Sequence, residues 1–261
     1  MAHILNDILR YKREEISALP TTCAAPSDRR DFAGALASPG LGVIAEIKRR
    51  SPSRGAIAPS IDPARIAADY ETGGAVAISC LTDATFFGAR PDDLPAARNA
   101  TSLPVLRKDF IIDQRQVHES AAMGADAILL IARVLAPAQL RDLLRTASSL
   151  RLAALVETHD EADIDKALDA GATIIGVNNR NLATFEVSLE TAVRLRRRIP
   201  DVCLSVAESG IHSQNDLHRM RDAGYDAVLV GESLARSSDP AFALQSLLGG
   251  ALRPTPAETA R

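Results

Sequence analysis

Glu46 and Lys48 stand two residues apart, just after the apolar run Gly42-Val43-Ile44-Ala45. Alternate residues of an extended strand share a face, so the carboxylate and the ammonium point the same way, with Ile47 opposite. A pair like this at the end of a buried strand can exchange protons with a ligand or grip its charges, or it can be a structural ion pair. Recurrence favours the first reading. Later apolar runs also carry or end in polar groups: Ser79 lies within one, Lys108 and Asp109 close another, and Glu157, Asn178 with Arg180, and Glu208 with Ser209 close three more. Two lysines, three glutamates and an asparagine make an acid–base set without a thiol nucleophile or metal-ligand spacing. The lysines carry extra weight, because only four of the 30 basic residues are lysine: Lys12, Lys48, Lys108 and Lys166. A chain that writes arginine for almost every cation keeps lysine at a strand end where a proton must move or an imine form. Lys12 and Lys166 fall in amphipathic helical patterns and are expected to need no such explanation. The histidines form no metal pattern; His159, His212 and His218 lie beyond strand ends and are expected at the surface or behind the reacting groups.

The spacing of the apolar runs says what must hold these residues. Runs of strand length at 42–48, 75–81, 104–108, 125–131, 152–157, 174–178, 203–208 and 227–231 alternate with amphipathic stretches. Strands and helices in that alternation and number imply an α/β fold, a (β/α)8 TIM barrel. Junctions beginning at residues 71, 122, 169 and 222 repeat one pattern, in which a glycine closes the helix and the next strand follows at once. An open doubly wound sheet is the second choice, but it usually carries a glycine-rich phosphate turn after its first strand, and no G-x-G-x-x-G occurs in the chain. Ahead of the barrel, residues 3–18 read as an amphipathic helix, and 19–41 as irregular with a short helix around 31–37. The expected organisation is an N-terminal helical extension (1–41) packed on the barrel, a barrel domain (42–248) and a mobile tail (249–261).

In a closed barrel the strand ends converge on one mouth. Leu129-Leu130-Ile131 would give that mouth an apolar wall. The loops after the last two strands, Glu208-Ser209-Gly210-Ile211 and Gly231-Glu232-Ser233-Leu234, each set a glycine beside a serine, as a bound phosphate would ask; capping of the following helices is the alternative. Ser51 and Ser53 could reach the same corner from the first strand, and Arg180 from the sixth.

Composition narrows the partners. A net charge of −3 leaves no electrostatic footprint for nucleic acid or an anionic membrane. The one dense basic run, Arg194, Arg196, Arg197 and Arg198, falls where a helix should end, and cations there complement the helix dipole. Cys23, Cys80 and Cys203 are odd in number and widely spaced, so reduced thiols are expected. With no secretory pattern at the start and no apolar run of membrane-spanning length, a cytoplasmic protein is expected.

Six motifs together carry a specific resemblance: Ala-Glu-Ile-Lys-Arg-Arg-Ser-Pro-Ser at 45–53, Leu-Arg-Lys-Asp-Phe-Ile-Ile-Asp at 106–113, Leu-Val-Glu-Thr-His at 155–159, Ile-Gly-Val-Asn-Asn-Arg-Asn-Leu at 175–182, Ala-Glu-Ser-Gly-Ile at 207–211 and Leu-Val-Gly-Glu-Ser-Leu at 229–234. The chain from the first helix to about residue 248 resembles the indole-3-glycerol-phosphate synthases of tryptophan biosynthesis. The resemblance implies a carboxy-lyase that closes, decarboxylates and dehydrates 1-(2-carboxyphenylamino)-1-deoxyribulose 5-phosphate without metal or organic cofactor. It implies Lys108 as general acid, Glu157 as acid–base partner in dehydration, and Lys48 on the substrate carboxylate, sharing proton transfer. Glu46, Asn178 and Glu208 would orient these groups and the sugar hydroxyls, with Arg180 and Ser209 beside them. Ser51, Gly210, Gly231 and Ser233 match the family's phosphate corner. Phe110, Leu129 and Leu130 would flank the aryl ring, with Phe86 or Phe87 above; one of the leucines is expected in ordinary packing. A neighbouring cation and partial burial are expected to pull the acidic lysine down toward neutrality. The partner is then a small phosphosugar–anthranilate molecule, neither nucleic acid nor membrane, and the protein is expected to be a monomer. The sequence departs from the family in the loop 82–88, one residue short between aromatic and glycine, and at Cys80, where valine is commoner. A Schiff-base aldolase on the same barrel and a non-catalytic phosphate-ligand sensor are the competing readings.

Overall fold

Continuous apolar runs become strands buried on both faces, and the computed structural model, which describes residues 2–21, 28–52, 55–182 and 184–249, closes eight of them into a parallel barrel. These are β1 (Gly42–Ile47), β2 (Ala77–Leu81), β3 (Val105–Lys108), β4 (Ala127–Ile131), β5 (Ala153–Thr158), β6 (Ile174–Asn178), β7 (Leu204–Glu208) and β8 (Ala227–Val230), with β8 returning to β1. Two helices precede the barrel, α1 (Ala2–Ser17) and α2 (Phe32–Leu36). Around it run α3 (Pro63–Thr72), α4 (Ala84–Phe87), α5 (Asp93–Asn99), α6 (Gln114–Ala122), α7 (Pro137–Ser149), α8 (Glu161–Asp169), α9 (Leu189–Leu195), α10 (Gln214–Asp222), α11 (Glu232–Ala235) and α12 (Pro240–Leu248). The repeated junction glycines Gly74, Gly124, Gly171 and Gly224 all take positive φ, between 87° and 97°, as the helix-to-strand reversal demands. A feature not foreseen is a two-residue antiparallel ribbon after β1, Arg50–Ser51 against Gly55–Ala56.

Alternation along each strand splits the core in two. Inward residues such as Ile44, Leu106, Leu155 and Val206 fill the barrel, and α2 stoppers its lower end with Phe32 and Leu36. Outward residues such as Val43, Ala45 and Ile47 pack against the helices. At the other end Ile4, Leu5 and Ile8 of α1 border the mouth. The N-terminal segment therefore covers both ends of the barrel. The arginine run behaves as a helix end: Arg194 pairs with Glu161, Arg196 with Asp201 and Arg198 with Asp165. Residues 250–261 of the expected tail, and Cys23, lie outside the described residues; Cys80 and Cys203 are buried free thiols. Among the described residues no helix is long and apolar enough to cross a membrane.

Lys12 corrects the expectation that it needs no special explanation. Its side chain is 3% exposed and its Nζ lies 3.0 Å from Asp83, 2.9 Å from Asp109 and 2.8 Å from Glu15. Burial works against the charge, yet Asp109 and Asp83 outweigh it and hold the ammonium above its ordinary pKa. Asp83 caps α4 through Phe86 and Phe87, and Asp109 follows Lys108 at the end of β3, so one ammonium ties α1 to two edges of the mouth. The Tyr11 ring meets Phe86 edge-on, 5.6 Å between centroids, beside this tie. Lys12→Met leaves the buried Asp83 without its cation and Asp109 with Arg107 alone, and breaking such a buried pair costs about 3–5 kcal/mol. The expected result is loss of hydrogen-exchange protection across residues 8–17; unchanged protection would mean that the two aspartates hold α1 by other means.

Candidate active site

The barrel's stagger decides which strand-end residues meet. Through the ladder pairing, Glu46 is level by way of Ser79 with Leu106 rather than Lys108, and Glu157 by way of Gly176 with Val206 rather than Glu208. Glu208, by way of Leu229, is level with Ile44 rather than Glu46. A lift of two residues per two strands is the tilt of a closed barrel, and it brings Glu46, Lys108, Glu157 and Glu208 from alternate strands β1, β3, β5 and β7 to one height. In most barrels such a layer is aliphatic. Here it holds three carboxylates and one ammonium.

These four line a single pocket with Lys48, Asn178, Arg180, Ser51, Phe110, Leu129, Ser209, Gly210 and Gly231. Lys48 Nζ donates to Glu46 Oε1 at 2.5 Å, confirming that the two share a face. Lys108 Nζ lies 3.8 Å from Glu157 Oε2. Asn178 Oδ1 accepts from the Arg180 N–H at 3.0 Å, and the Arg180 guanidinium is steadied by the Phe185 carbonyl at 3.2 Å and Glu232 at 3.7 Å. Ser209 and Gly210 both have positive φ, a turn that a serine adopts only under constraint and that Asn179 fastens by donating to the Ser209 carbonyl at 3.0 Å. Phe87 tilts over Phe110 with centroids 6.2 Å apart, so an apolar wall of Phe87, Phe110 and Leu129 faces the charged layer. Leu130 turns outward into the core, as expected for one of the two leucines.

Electrostatics overturn one expectation. Burial pulls the Lys108 pKa down, but Glu157, Glu208 and Glu46 outweigh it, so the group is held above its ordinary value rather than lowered toward neutrality. Burial likewise pushes Glu46 up, and Lys48 and Lys108 bring it below the usual carboxylate range. Glu208 goes the other way: burial, and then the Glu157 charge, push it well above that range. The mouth therefore holds a proton-rich lysine beside a carboxyl group that resists ionisation. Among the described residues no grouping of three or more His, Cys, Asp or Glu side chains fits a metal ion.

Of the other residues expected at the phosphate corner, one is described and one is not. The Ser233 hydroxyl donates to the Ile211 carbonyl at 3.2 Å instead of facing the pocket, and Ser53 lies outside the described residues. Two further residues bear on the site. His159, expected at the surface or behind the reacting groups, is buried with its Nε2 3.3 Å from Glu157 Oε1. Gly176, in mid-strand, has Glu208 where a side chain would stand. An isolated glycine inside a strand signals close approach and could have been noticed.

A family model described as indole-3-glycerol phosphate synthase matches residues 3–247. The chain belongs to the indole-3-glycerol phosphate synthase family. It is 49% identical over 262 residues to the indole-3-glycerol phosphate synthase of Polaromonas naphthalenivorans, covering 95% of this chain and all of that one. It is 48% identical over 240 residues to indole-3-glycerol phosphate synthase 2 of Streptomyces coelicolor, covering 92% and 93%. Solved structures at lower identity share the fold: a 3-hexulose-6-phosphate synthase (13% identical, TM-score 0.64, covering 80% of this chain and 99% of that one) and a thiamine phosphate pyrophosphorylase from Pyrococcus furiosus (18%, 0.60, 80% and 94%).

Within this synthase-family barrel, Gly176 and Gly231 make room for the charged layer. A Cβ on Gly231 would run into the Glu46 carboxylate, and one on Gly176 into the Glu208 carboxylate, with Leu155 Cδ1 at 3.2 Å. Gly176→Ala should therefore shift Glu208 out of its place. Displacement of about 1 Å at a reacting centre can cost about 100-fold in rate, and overpacking costs about 1–3 kcal/mol. Steady-state kinetics and thermal melting check both effects; a variant with unchanged kcat would show that Glu208 has slack.

Proposed function

We propose that this member of the indole-3-glycerol phosphate synthase family performs the family's reaction through the charged layer at its barrel mouth. The substrate is 1-(2-carboxyphenylamino)-1-deoxyribulose 5-phosphate, and the products are indole-3-glycerol phosphate, carbon dioxide and water. One observation carries the roles: Lys108 is the ammonium of a layer whose other three members are glutamates, 3.8 Å from Glu157 and held charged by its neighbours.

The phosphate is taken at the corner of Ser51, Gly210 and Gly231, and the anthranilate ring lies against Phe110 and Leu129, below Phe87. Lys48 meets the ring carboxylate, with Glu46 fixing its direction. As the ring carbon bearing that carboxylate attacks the ketone, Lys108 gives a proton to the oxygen, which becomes a hydroxyl. The carboxylate leaves as carbon dioxide, returning its electron pair to the ring. In the last step the hydroxyl departs as water with a proton from a lysine, while Glu157 takes a proton from the methylene carbon beside the nitrogen, closing the indole double bond; of the two protons given, one returns through Glu157 and the other comes from solvent, matching the negative charge lost with the carboxylate. Asn178, Glu208, Arg180 and Ser209 orient the sugar hydroxyls and the lysines. Each step uses side-chain acids and bases only.

The charge on Lys108 favours a proton donor over an imine-forming amine, since a nucleophile must first be neutral. Mixing the purified protein with substrate and following indole fluorescence should show turnover. Borohydride added during turnover should leave no adduct on Lys108 by mass analysis. An adduct would favour the aldolase, and binding without fluorescence would favour the sensor. The same reading makes the protein a cytoplasmic monomer acting on a small molecule; the unbridged, buried Cys80 and Cys203 fit a reducing compartment.

A further inference from the structure

His159 is the residue after β5, two beyond Glu157 and therefore on the same side of the chain. Its side chain is 4% exposed, and neither ring nitrogen has a well-aligned hydrogen bond, although the ring helps to hold the Asp163 carboxyl below its ordinary range. A buried polar ring whose hydrogen bonds are poorly formed is costly unless something nearby uses it. Nε2 lies 3.3 Å from Glu157 Oε1, and Nδ1 lies 3.7 Å from Asp163 Oδ2. Asp163, on α8, is itself pinned: it accepts from the His159 backbone N–H at 3.1 Å and from Arg133 Nε at 3.1 Å. Arg133 also holds Asp160, the residue capping α8, at 2.6 Å. The imidazole is thus wedged between a fixed helix end and the carboxylate expected to move a proton.

Glu157 divides its oxygens. Oε2 faces Lys108, and Oε1 faces His159. A glutamate carboxylate rotates freely about its last bond unless one oxygen is held, and a freely rotating base spends time misaligned. We propose that His159 is a positioning residue for Glu157: its Nε2–H holds Oε1 so that Oε2 alone is presented to Lys108 and the substrate. The 3.3 Å gap closes to a hydrogen bond when substrate arrives, as such contacts do in other enzymes. His159 does not line the pocket, so it acts without touching substrate. The inference rests on the role of Glu157 proposed above.

The test compares three replacements in the full chain. His159→Leu removes both donors, His159→Asn keeps one near the Nδ1 position, and His159→Gln can return one to the Nε2 position. A hydrogen bond to a charged group is worth enough to change rate by about tenfold or more. The Leu and Asn variants should lose about that much kcat with KM within about twofold, and Gln should recover most of it. Should Leu fold poorly, Asn against Gln decides alone. Unchanged kcat in Leu, equal kcat in Asn and Gln, or a change confined to KM would overturn the proposal. In a Glu157→Gln background, His159→Leu should alter the residual rate by less than about twofold, because the oxygen it holds no longer serves as a base. If Glu157→Gln by itself kept full turnover, the role of Glu157 would fall; if Glu157→Gln were inactive and His159→Leu fully active, only the role of His159 would.

Discussion

Lys108→Met should lower turnover by about 100- to 10,000-fold, the range that one general acid supplies, while ligand binding through the phosphate corner survives. Methionine keeps the length and the apolar stem but has no proton to give. It also leaves Glu157 and Glu208 without the ammonium they share, and Glu46 with Lys48 alone. Loss of activity in this variant alone could then reflect rearranged carboxylates. Lys108→Arg separates the causes, because guanidinium preserves the charge and does not release a proton at neutral pH. Fluorescence-monitored kcat should fall by a similar factor in both, and thermal stability should fall more in Met than in Arg. Near-full activity in Arg would show that charge, not proton transfer, is what the reaction draws from this position.

How legible the protein was in its sequence depends on the kind of contact. The eight strands were legible because strands of a parallel barrel are buried on both faces and appear as unbroken apolar runs, here ended by a few charges. Once the barrel was inferred, convergence of Glu46, Lys48, Lys108, Glu157, Asn178 and Glu208 on one mouth followed from their place at strand ends, and all six line the pocket. The stagger that selects Glu46, Lys108, Glu157 and Glu208 as one layer needs the pairing register, which no single segment carries. Lys12 looked ordinary because helical periodicity reveals a face, not a depth; its burial depends on Asp83 and Asp109, each from a different loop. The pKa of Lys108 was expected to move the wrong way for the same reason. The expectation weighed burial and a neighbouring cation, but the field at Lys108 is set by carboxylates from β1, β5 and β7. The direction of the Ser233 hydroxyl was not legible either, because a serine at a helix start has a backbone carbonyl within reach, here that of Ile211.

Glu157→Gln is expected to move activity and stability in opposite directions. Glutamine fills the same space and accepts through its carbonyl oxygen, but it cannot take a proton, so kcat should drop by about 100- to 10,000-fold. Stability follows from Glu208. Burial and the Glu157 charge raise its folded-state pKa, so above its unfolded value the folded protein binds more protons than the unfolded chain, and stability falls as pH rises through the folded value. Removing the Glu157 charge relieves one source of that shift and leaves Lys108 free to pair with an ionised Glu208. The parent should therefore lose melting temperature between pH 5 and 8 more steeply than the variant does, and by pH 8 the variant should melt no lower than the parent. Melting curves across that range, taken beside the fluorescence assay, test the link directly. If the two proteins kept parallel pH profiles, Glu157 and Glu208 would not be coupled, and the division of this layer into one base and one resisting acid would be wrong.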